Sequence, residues 1–367
     1  MKGKLMQSKL KYRQVSAVLA ASLALSGCAV KNNTKATESV TEPTVSTEAA
    51  VQIETTEEPA VTTAEETPFE FNPHVYNAML SATYDDGYRD SFFNLCDALR
   101  EGKDTFECTS KEAYDWCMNE ITLSELFPVA CMTVTGNSTD GSVNFENGTG
   151  RIYYAIPKEE FVQRQSEFEE EITDILNTYV KSSYTDFEKC LALYDYMVSE
   201  YVYDYNDEWM GTGVGASYFC FKEKRGLCSS LADIYSYLLM QVGVDAIHVS
   251  NFGGGNAHAW TFVTINGKGY HIDPTWGLKI DYSNKKFYLD NFMMTDNDRA
   301  NSGYPAEELS VPLLPYNYAN ECTEYSYIAD DDSYRFPPYT ACTGYDTDNN
   351  IIWYSLSDRD PLEFFYE

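Results

Sequence analysis

Apolar residues recur at Leu231, Ile234, Tyr235, Leu238, Leu239 and Val242, the spacing of one buried helical face, and Gly243 ends the run. The pattern then changes period. Ala257 to Ile265 and Tyr270 to Thr275 are short apolar-rich runs on either side of Asn266-Gly267, and they predict two strands. An Asn-Gly pair selects a two-residue type I′ turn. In the register that turn sets, Ile265 faces Lys268, Trp260 faces Asp273, and His258 lies diagonally beside Asp273 on the same face of the ribbon. A three-residue loop would put Asp273 on the opposite face.

Elsewhere the pattern is less regular. Phe161 to Val180 predicts a long amphipathic helix, and Asp90 to Arg100 and Glu112 to Met118 predict short ones. Val129 to Thr135, Ser142 to Phe145 and Arg151 to Ile156 read as strands, so residues 71–157 are expected to form an N-terminal α+β region. After Pro312 the chain is tyrosine-rich and irregular, and its pattern assigns no element to residues 312–367.

Three residues on the central elements carry a chemistry. Cys228 precedes the helical run, and a cysteine in the first turn of a helix feels the positive end of the macrodipole and the unpaired backbone N–H groups. Both favour thiolate, and the same N–H groups can serve as an oxyanion hole. Alone, Cys228 would read as a small buried hydrophobe. His258 and Asp273 change that reading, because together the three supply a nucleophile, a general base and an orienter for the base, the set that thiol-based acyl transfer needs. His271, His248 and His74 have no matching motif and read as structural residues.

The stretch from roughly Glu188 to Arg299 resembles the transglutaminase-like superfamily, a papain-related fold. The resemblance rests on motifs in order: Lys189-Cys190-Leu191-Ala192-Leu193-Tyr194-Asp195-Tyr196-Met197, then Tyr203-Asp204-Tyr205, Gly226-Leu227-Cys228, His258-Ala259-Trp260 and Asp273-Pro274-Thr275-Trp276. It implies an α+β fold in which a helix bearing Cys228 packs on an antiparallel sheet carrying His258 and Asp273. It also implies Cys228 as nucleophile, His258 as base and Asp273 as orienter, with no cofactor. A side-chain oxyanion donor upstream of the cysteine is expected from the family, and Trp209 is the candidate. The implied reaction is a cysteine thioester formed with a glutamine carboxamide or a peptide carbonyl and resolved by an amine or by water. A cysteine peptidase, a cell-wall amidase and a non-catalytic binding module on the same fold remain open alternatives.

The N-terminus bears on the compartment. Lys2 to Arg13 carries five basic and no acidic residues, and Val15 to Leu25 is an apolar run too short to span a bilayer, so residues 1–27 read as a signal peptide. Leu25-Ser26-Gly27-Cys28 resembles a bacterial lipobox, which implies lipidation of Cys28 and an extracytoplasmic protein anchored to the bacterial cell membrane. Residues 28–70 are rich in Thr, Glu and Pro and read as a disordered acidic tether. Residues 158–311 are then the catalytic domain, acting on a protein, peptide or cell-wall substrate.

Charge and cysteine usage narrow the partners. The net charge is −31, and removing residues 1–27 takes away five basic and no acidic residues, leaving −36. Such a surface repels nucleic acid. Asp346-Thr347-Asp348-Asn349-Asn350 begins like a calcium loop, but Ile351 stands at the glycine position and Ser357 at the twelfth, so that reading fails. No cysteine spacing resembles a zinc site. Eight of the ten cysteines remain after Cys28 and Cys228, an even number that can pair outside the cytoplasm or, in an anaerobe, stay as free thiols; Cys322 and Cys342 are the first candidates for a pair by isolation.

Overall fold

The central helix starts at the cysteine itself and spans Cys228–Gln241, three residues earlier than the apolar run. Almost every residue after its first turn is buried. The helix packs on a four-stranded antiparallel sheet ordered Lys268–Ile272, His258–Ile265, Asp245–Asn251 and Leu309–Ser310. The computed structural model describes residues 66–137, 141–204, 216–251, 257–278, 287–356 and 360–367. The leader, Cys28 and the tether up to residue 65 therefore lie outside the described residues, and residues 66–367 form one compact unit.

The hairpin keeps the register that the Asn-Gly turn predicts as far as Ile272, but the second strand is Lys268–Ile272 and does not run to Thr275. The ladder ends at Thr261 and Ile272, before Trp260 and Asp273, because Asp273 caps the short helix Pro274–Gly277. Ile265 pairs with Lys268 and Phe262 with His271. Asn266 and Gly267 have φ of 52° and 76°, the two left-handed residues that a type I′ turn requires. The strands Asp245–Asn251 and His258–Ile265 are buried on both faces, so neither shows an alternating pattern. One face meets the Cys228 helix, where Thr261 Oγ1 lies 3.0 Å from Ser236 Oγ. The other meets the tyrosine-rich C-terminal segment: Tyr325 donates to Thr264 Oγ1 at 2.8 Å, and Tyr327 packs on Phe262.

The helix Asp186–Glu200 leads toward the nucleophile. It opens on a capping box, in which Glu188 Oε2 accepts from the Thr185 N–H at 2.7 Å while Thr185 Oγ1 accepts from the Glu188 N–H at 3.3 Å. Glu188 is buried, and Tyr366 at the chain's end donates to its other oxygen at 2.8 Å. Val202–Tyr203 then pairs in parallel with Arg225–Gly226. The Tyr203-Asp204 segment is thus laid beside the residues that lead into Cys228, with the Asp204 N–H donating to the Gly226 carbonyl at 3.0 Å.

Other expectations need correction, among them Ser142 to Phe145, which pairs only at Phe145–Glu146. Val129 to Thr135 is not a strand: Pro128–Ala130 is a 3-10 turn, Met132 has a left-handed φ of 61°, and only Val134–Thr135 pairs. The proline starts the turn and its ring removes a ladder donor. The region after Pro312 is not wholly irregular, because Thr340–Asp346, Ile351–Leu356 and Leu362–Phe365 form an antiparallel meander joined by Phe287–Tyr288. The aborted calcium motif is the tip of its first hairpin, where Asp346 accepts from the backbone of Asp348 and Asn349. Cys322 and Cys342 do not pair: each is a buried free thiol.

The N-terminal region is bonded to the same core. Asn77 donates to the Ala246 carbonyl at 2.6 Å, and Asn72 and Gln241 exchange two hydrogen bonds at 2.8 and 2.9 Å. Order reaches back into residues expected in the tether, since the Phe69 N–H donates to Asn177 Oδ1 at 2.7 Å and Glu66 accepts from Ser182 and Ser183.

Candidate active site

Cys228 occupies the first position of its helix. Leu227, the N-cap residue, offers no side-chain cap to the first-turn N–H groups, so their positive field stays directed at the thiol end of the helix. Cys228 is half-buried, and it is among the groups that act on the His258 imidazole. His258 stands at the start of its strand with its Nε2 on Asp273 Oδ2 at 2.6 Å, so Nδ1 is the nitrogen not engaged by the carboxylate. His258 is buried and Asp273 fully so. Asp273 thus holds the imidazole by one nitrogen, and Cys228 acts on the same ring.

Asp273 is fixed on all sides. Its N–H donates to the Asn291 carbonyl at 2.8 Å, and its Oδ1 accepts from the Trp276 N–H at 3.2 Å, capping the short helix Pro274–Gly277. The motif Asp-Pro-Thr-Trp-Gly has a local reason here: Asp caps, Pro takes the first helical position, and Gly277 lies where a Cβ would come 2.1 Å from Tyr194 Oη. Trp276 is 44 % exposed and stacks on the His258 ring, centroids 4.9 Å apart and planes 17° apart.

A fourth residue enters that the sequence pattern did not single out. Arg299 is buried and donates from Nη1 to Asp273 Oδ2 at 3.1 Å. Its guanidinium lies 3.9 Å from the centre of the Trp260 ring, with Trp276 and Tyr304 each at 5.0 Å. Its Nε and Nη2 have no hydrogen-bond partner among the described residues, and the aromatic faces supply part of the compensation a buried cation needs. The one hint in the sequence is Thr295-x-x-Asp298, a capping box that opens the helix Asp296–Asn301 carrying Arg299.

The electrostatics follow from these contacts. Burial alone would lower the His258 pKa, but the charge and hydrogen bond of Asp273, with the contact to Cys228, outweigh it and raise it to about 9. Burial pushes the Asp273 carboxyl up, while His258, Arg299 and the Trp276 N–H together hold it below the usual carboxylate range. His258 therefore carries a proton at neutral pH, the form that stabilises a thiolate one contact away.

The remaining histidines are engaged elsewhere. His271 Nδ1 accepts from Trp260 Nε1 at 3.0 Å, so its proton sits on Nε2 and donates to Asp296 Oδ1 at 2.9 Å. Burial lowers its pKa, which keeps it neutral. His74 stacks on Phe93 and binds Asp97, and His248 binds Asp233. Trp209, the expected oxyanion donor, and Cys28, the expected lipidation site, lie outside the described residues. Among the described residues one set of three ligand-type side chains converges, Glu125, Asp233 and His248, and it is separate from Cys228, His258 and Asp273.

Residues 173–274 match the family model of the transglutaminase-like superfamily, and that span ends just past Asp273. This part of the chain is a transglutaminase-like domain. Among solved structures the chain is similar to a candidate cysteine protease from Cytophaga hutchinsonii, at 14 % identity over 30 % of this chain and 37 % of that one, with a TM-score of 0.24. The matched part thus spans little more than a third of that protein's length. No curated protein sequence matches the chain.

Proposed function

We propose that the protein is a thiol acyltransferase or hydrolase that works through a thioester on Cys228. The observation that supports this most is the position of His258, whose Nε2 is held by Asp273 and whose imidazole is also acted on by Cys228 at the start of the central helix. In the first half-reaction the Cys228 sulfur attacks the carbon of a glutamine carboxamide or peptide carbonyl. The first-turn N–H groups of the helix face the developing oxyanion. His258 then gives its proton to the departing nitrogen, which leaves as ammonia or an amine, and a thioester remains. In the second half-reaction neutral His258 takes a proton from an incoming amine or water, whose attack on the thioester carbon returns the sulfur as thiolate. Asp273 stays charged throughout and stabilises the imidazolium. The exposed face of Trp276, stacked on His258, offers an apolar wall for the acyl chain.

The test is the mass of the purified protein after incubation with a glutamine-containing peptide. A gain equal to the peptide less ammonia, located at Cys228 and absent from Cys228→Ala, supports the reading. Adding a primary amine then separates transfer from hydrolysis by the product formed. No adduct and no product with any carboxamide or peptide substrate would count for a binding module on this fold.

The same reading places the enzyme outside the cytoplasm, held by a lipid on Cys28 and set off from the membrane by the tether. The support is the basic and apolar leader followed by Leu25-Ser26-Gly27-Cys28. Among the described residues no helix is long and apolar enough to cross a membrane.

A further inference from the structure

Glu125, Asp233 and His248 come from three separate segments and meet in the interior. Glu125 lies in the last turn of the helix Glu120–Leu126, Asp233 in the Cys228 helix, and His248 in the strand Asp245–Asn251. They are 2 %, 5 % and 7 % exposed. His248 Nδ1 is 2.6 Å from Asp233 Oδ1 and 3.7 Å from Glu125 Oε1, and one ligand atom from each residue lies within 4.8 Å of the others. Ser124 donates to the second oxygen of Asp233 at 2.7 Å, which orients that carboxylate toward His248.

The cluster is under-satisfied as it stands. Glu125 Oε1, buried and turned toward the imidazole, has no hydrogen-bond partner, nor has His248 Nε2. Ser250 Oγ, two residues along the same strand, has none either. The groups acting on the Glu125 carboxyl are its burial and the nearby Asp233, which push it up, and the His248 backbone N–H, which opposes them. Two buried carboxylates therefore share one imidazole, and a buried polar atom without a partner is destabilising.

We propose that Glu125, Asp233 and His248 form a binding site for a divalent first-row metal ion of the zinc type. One imidazole nitrogen and two carboxylate oxygens are a borderline donor set, suited to zinc, cobalt(II) or manganese(II). Calcium takes six to eight oxygens and finds only two carboxylates here. Zinc bonds of about 2.0–2.2 Å in a tetrahedral shell place neighbouring ligand atoms roughly 3.3 Å apart. The present spacings of 2.6 and 3.7 Å bracket that value, so small side-chain shifts complete the site. The ion would take the place of the contact between His248 and Asp233 and give Glu125 Oε1 its missing partner. It would also join the N-terminal region to the sheet and to the helix that begins at Cys228, five residues before Asp233. The role is that of a staple, and it does not depend on the catalytic reading.

The full-length protein carrying Cys228→Ala is the material for the test, because it removes the half-buried thiol that could compete for metal. After chelator treatment it is dialysed against Zn²⁺, passed through gel filtration and analysed for metal. About one equivalent should be retained, with Tm raised by several degrees over the stripped protein. Loaded instead with Co²⁺, it should show weak visible bands and no strong near-ultraviolet thiolate-to-cobalt absorption. Glu125→Gln, nearly the same size, and His248→Gln should each lose retention and the Tm rise. Less than a tenth of an equivalent retained, a strong thiolate band, or full retention in a folded Glu125→Gln would overturn the proposal. Should either variant fail to fold, the stoichiometry and cobalt spectrum of the parent protein still decide.

Discussion

Arg299 donates to Asp273 Oδ2, the same carboxylate oxygen that meets His258 Nε2. One oxygen is thereby shared between a fixed cation and a titrating one. Arg299 keeps Asp273 ionised whatever the state of His258, and its positive charge also opposes protonation of the imidazole beyond Asp273. Replacing it with methionine preserves much of the volume against Trp260 and removes the charge. Arg299→Met should lose about 3–5 kcal/mol of stability in chemical denaturation, the usual cost of breaking a buried ion pair. It should also move the alkaline limb of the activity profile to higher pH. Arg299→Lys should leave that limb near its original place, whereas a purely packing role for Arg299 would leave it unmoved in both variants.

The shift at His258 makes stability depend on pH. Its folded pKa of about 9 exceeds the ordinary 6.5, so the stabilisation is fully present below about pH 6.5 and is lost as pH rises through 9. The linkage is on the order of 3 kcal/mol. Asp273 works in the opposite sense: its folded pKa is depressed, so its contribution is present above the ordinary carboxylate value of about 4 and is lost on acidification. Urea denaturation of wild type and His258→Gln between pH 6 and 10 should show a difference in stability that shrinks toward the alkaline end. A constant difference would mean that the Asp273–His258 contact does not carry the linkage.

The parts legible in sequence were those encoded by neighbours. The Asn266-Gly267 turn sets a register by itself, and the helical run after Cys228 is written within a few residues, whereas the apolar run through Thr275 hides the Asp273-Pro274 helix start that ends the strand at Ile272. Arg299 was invisible because its partner lies in another segment and only the fold brings it to Asp273. Glu125, Asp233 and His248 were invisible for the same reason, and their spacing matches no metal motif. The run Val129 to Thr135 is apolar enough for a strand, but Pro128 decides its local geometry. The pairing of Cys322 with Cys342 rested on their isolation in sequence, and isolation carries no distance.

The two histidines of the hairpin should behave differently on substitution. Asp273→Asn keeps an N-cap acceptor for the Trp276 N–H but cannot hold an imidazolium, and it can favour the wrong tautomer of His258. It should reduce kcat/KM by 100-fold or more while the protein stays folded, and Asp273→Ala should do the same with a further loss of stability. His271→Ala breaks the Trp260 and Asp296 contacts and should cost stability, with a much smaller effect on kcat/KM in the fraction that folds. Equal losses of kcat/KM in Asp273→Asn and His271→Ala would argue against His258 as the base.

The location of the protein can be checked independently of its chemistry. Cys28→Ser should shift it from the membrane fraction to the soluble fraction with its Tm unchanged. If Cys28→Ser protein stays with membranes after a high-salt wash, the anchor lies elsewhere.

Cys228 should be the one thiol of the folded domain that alkylates readily near neutral pH. Eight other cysteines among the described residues are free, and all eight are buried. Burial pushes the thiols of Cys96, Cys117 and Cys190 well above their ordinary value, and those of Cys131, Cys220 and Cys342 to about 12. Cys108 is raised in the same direction. These side chains are both inaccessible and protonated, and only thiolate reacts. Cys228 instead stands half-buried at an uncapped helix N-terminus, against an imidazole that holds its proton up to about pH 9. Limited iodoacetamide at pH 7, followed by peptide mass mapping of the domain, should place nearly all of the label on Cys228. His258→Gln should slow that labelling by tenfold or more, since the counter-charge is gone while access is unchanged. Labelling spread evenly over the nine thiols, or a rate at Cys228 unaffected by His258→Gln, would remove the physical basis for treating Cys228 as the nucleophile.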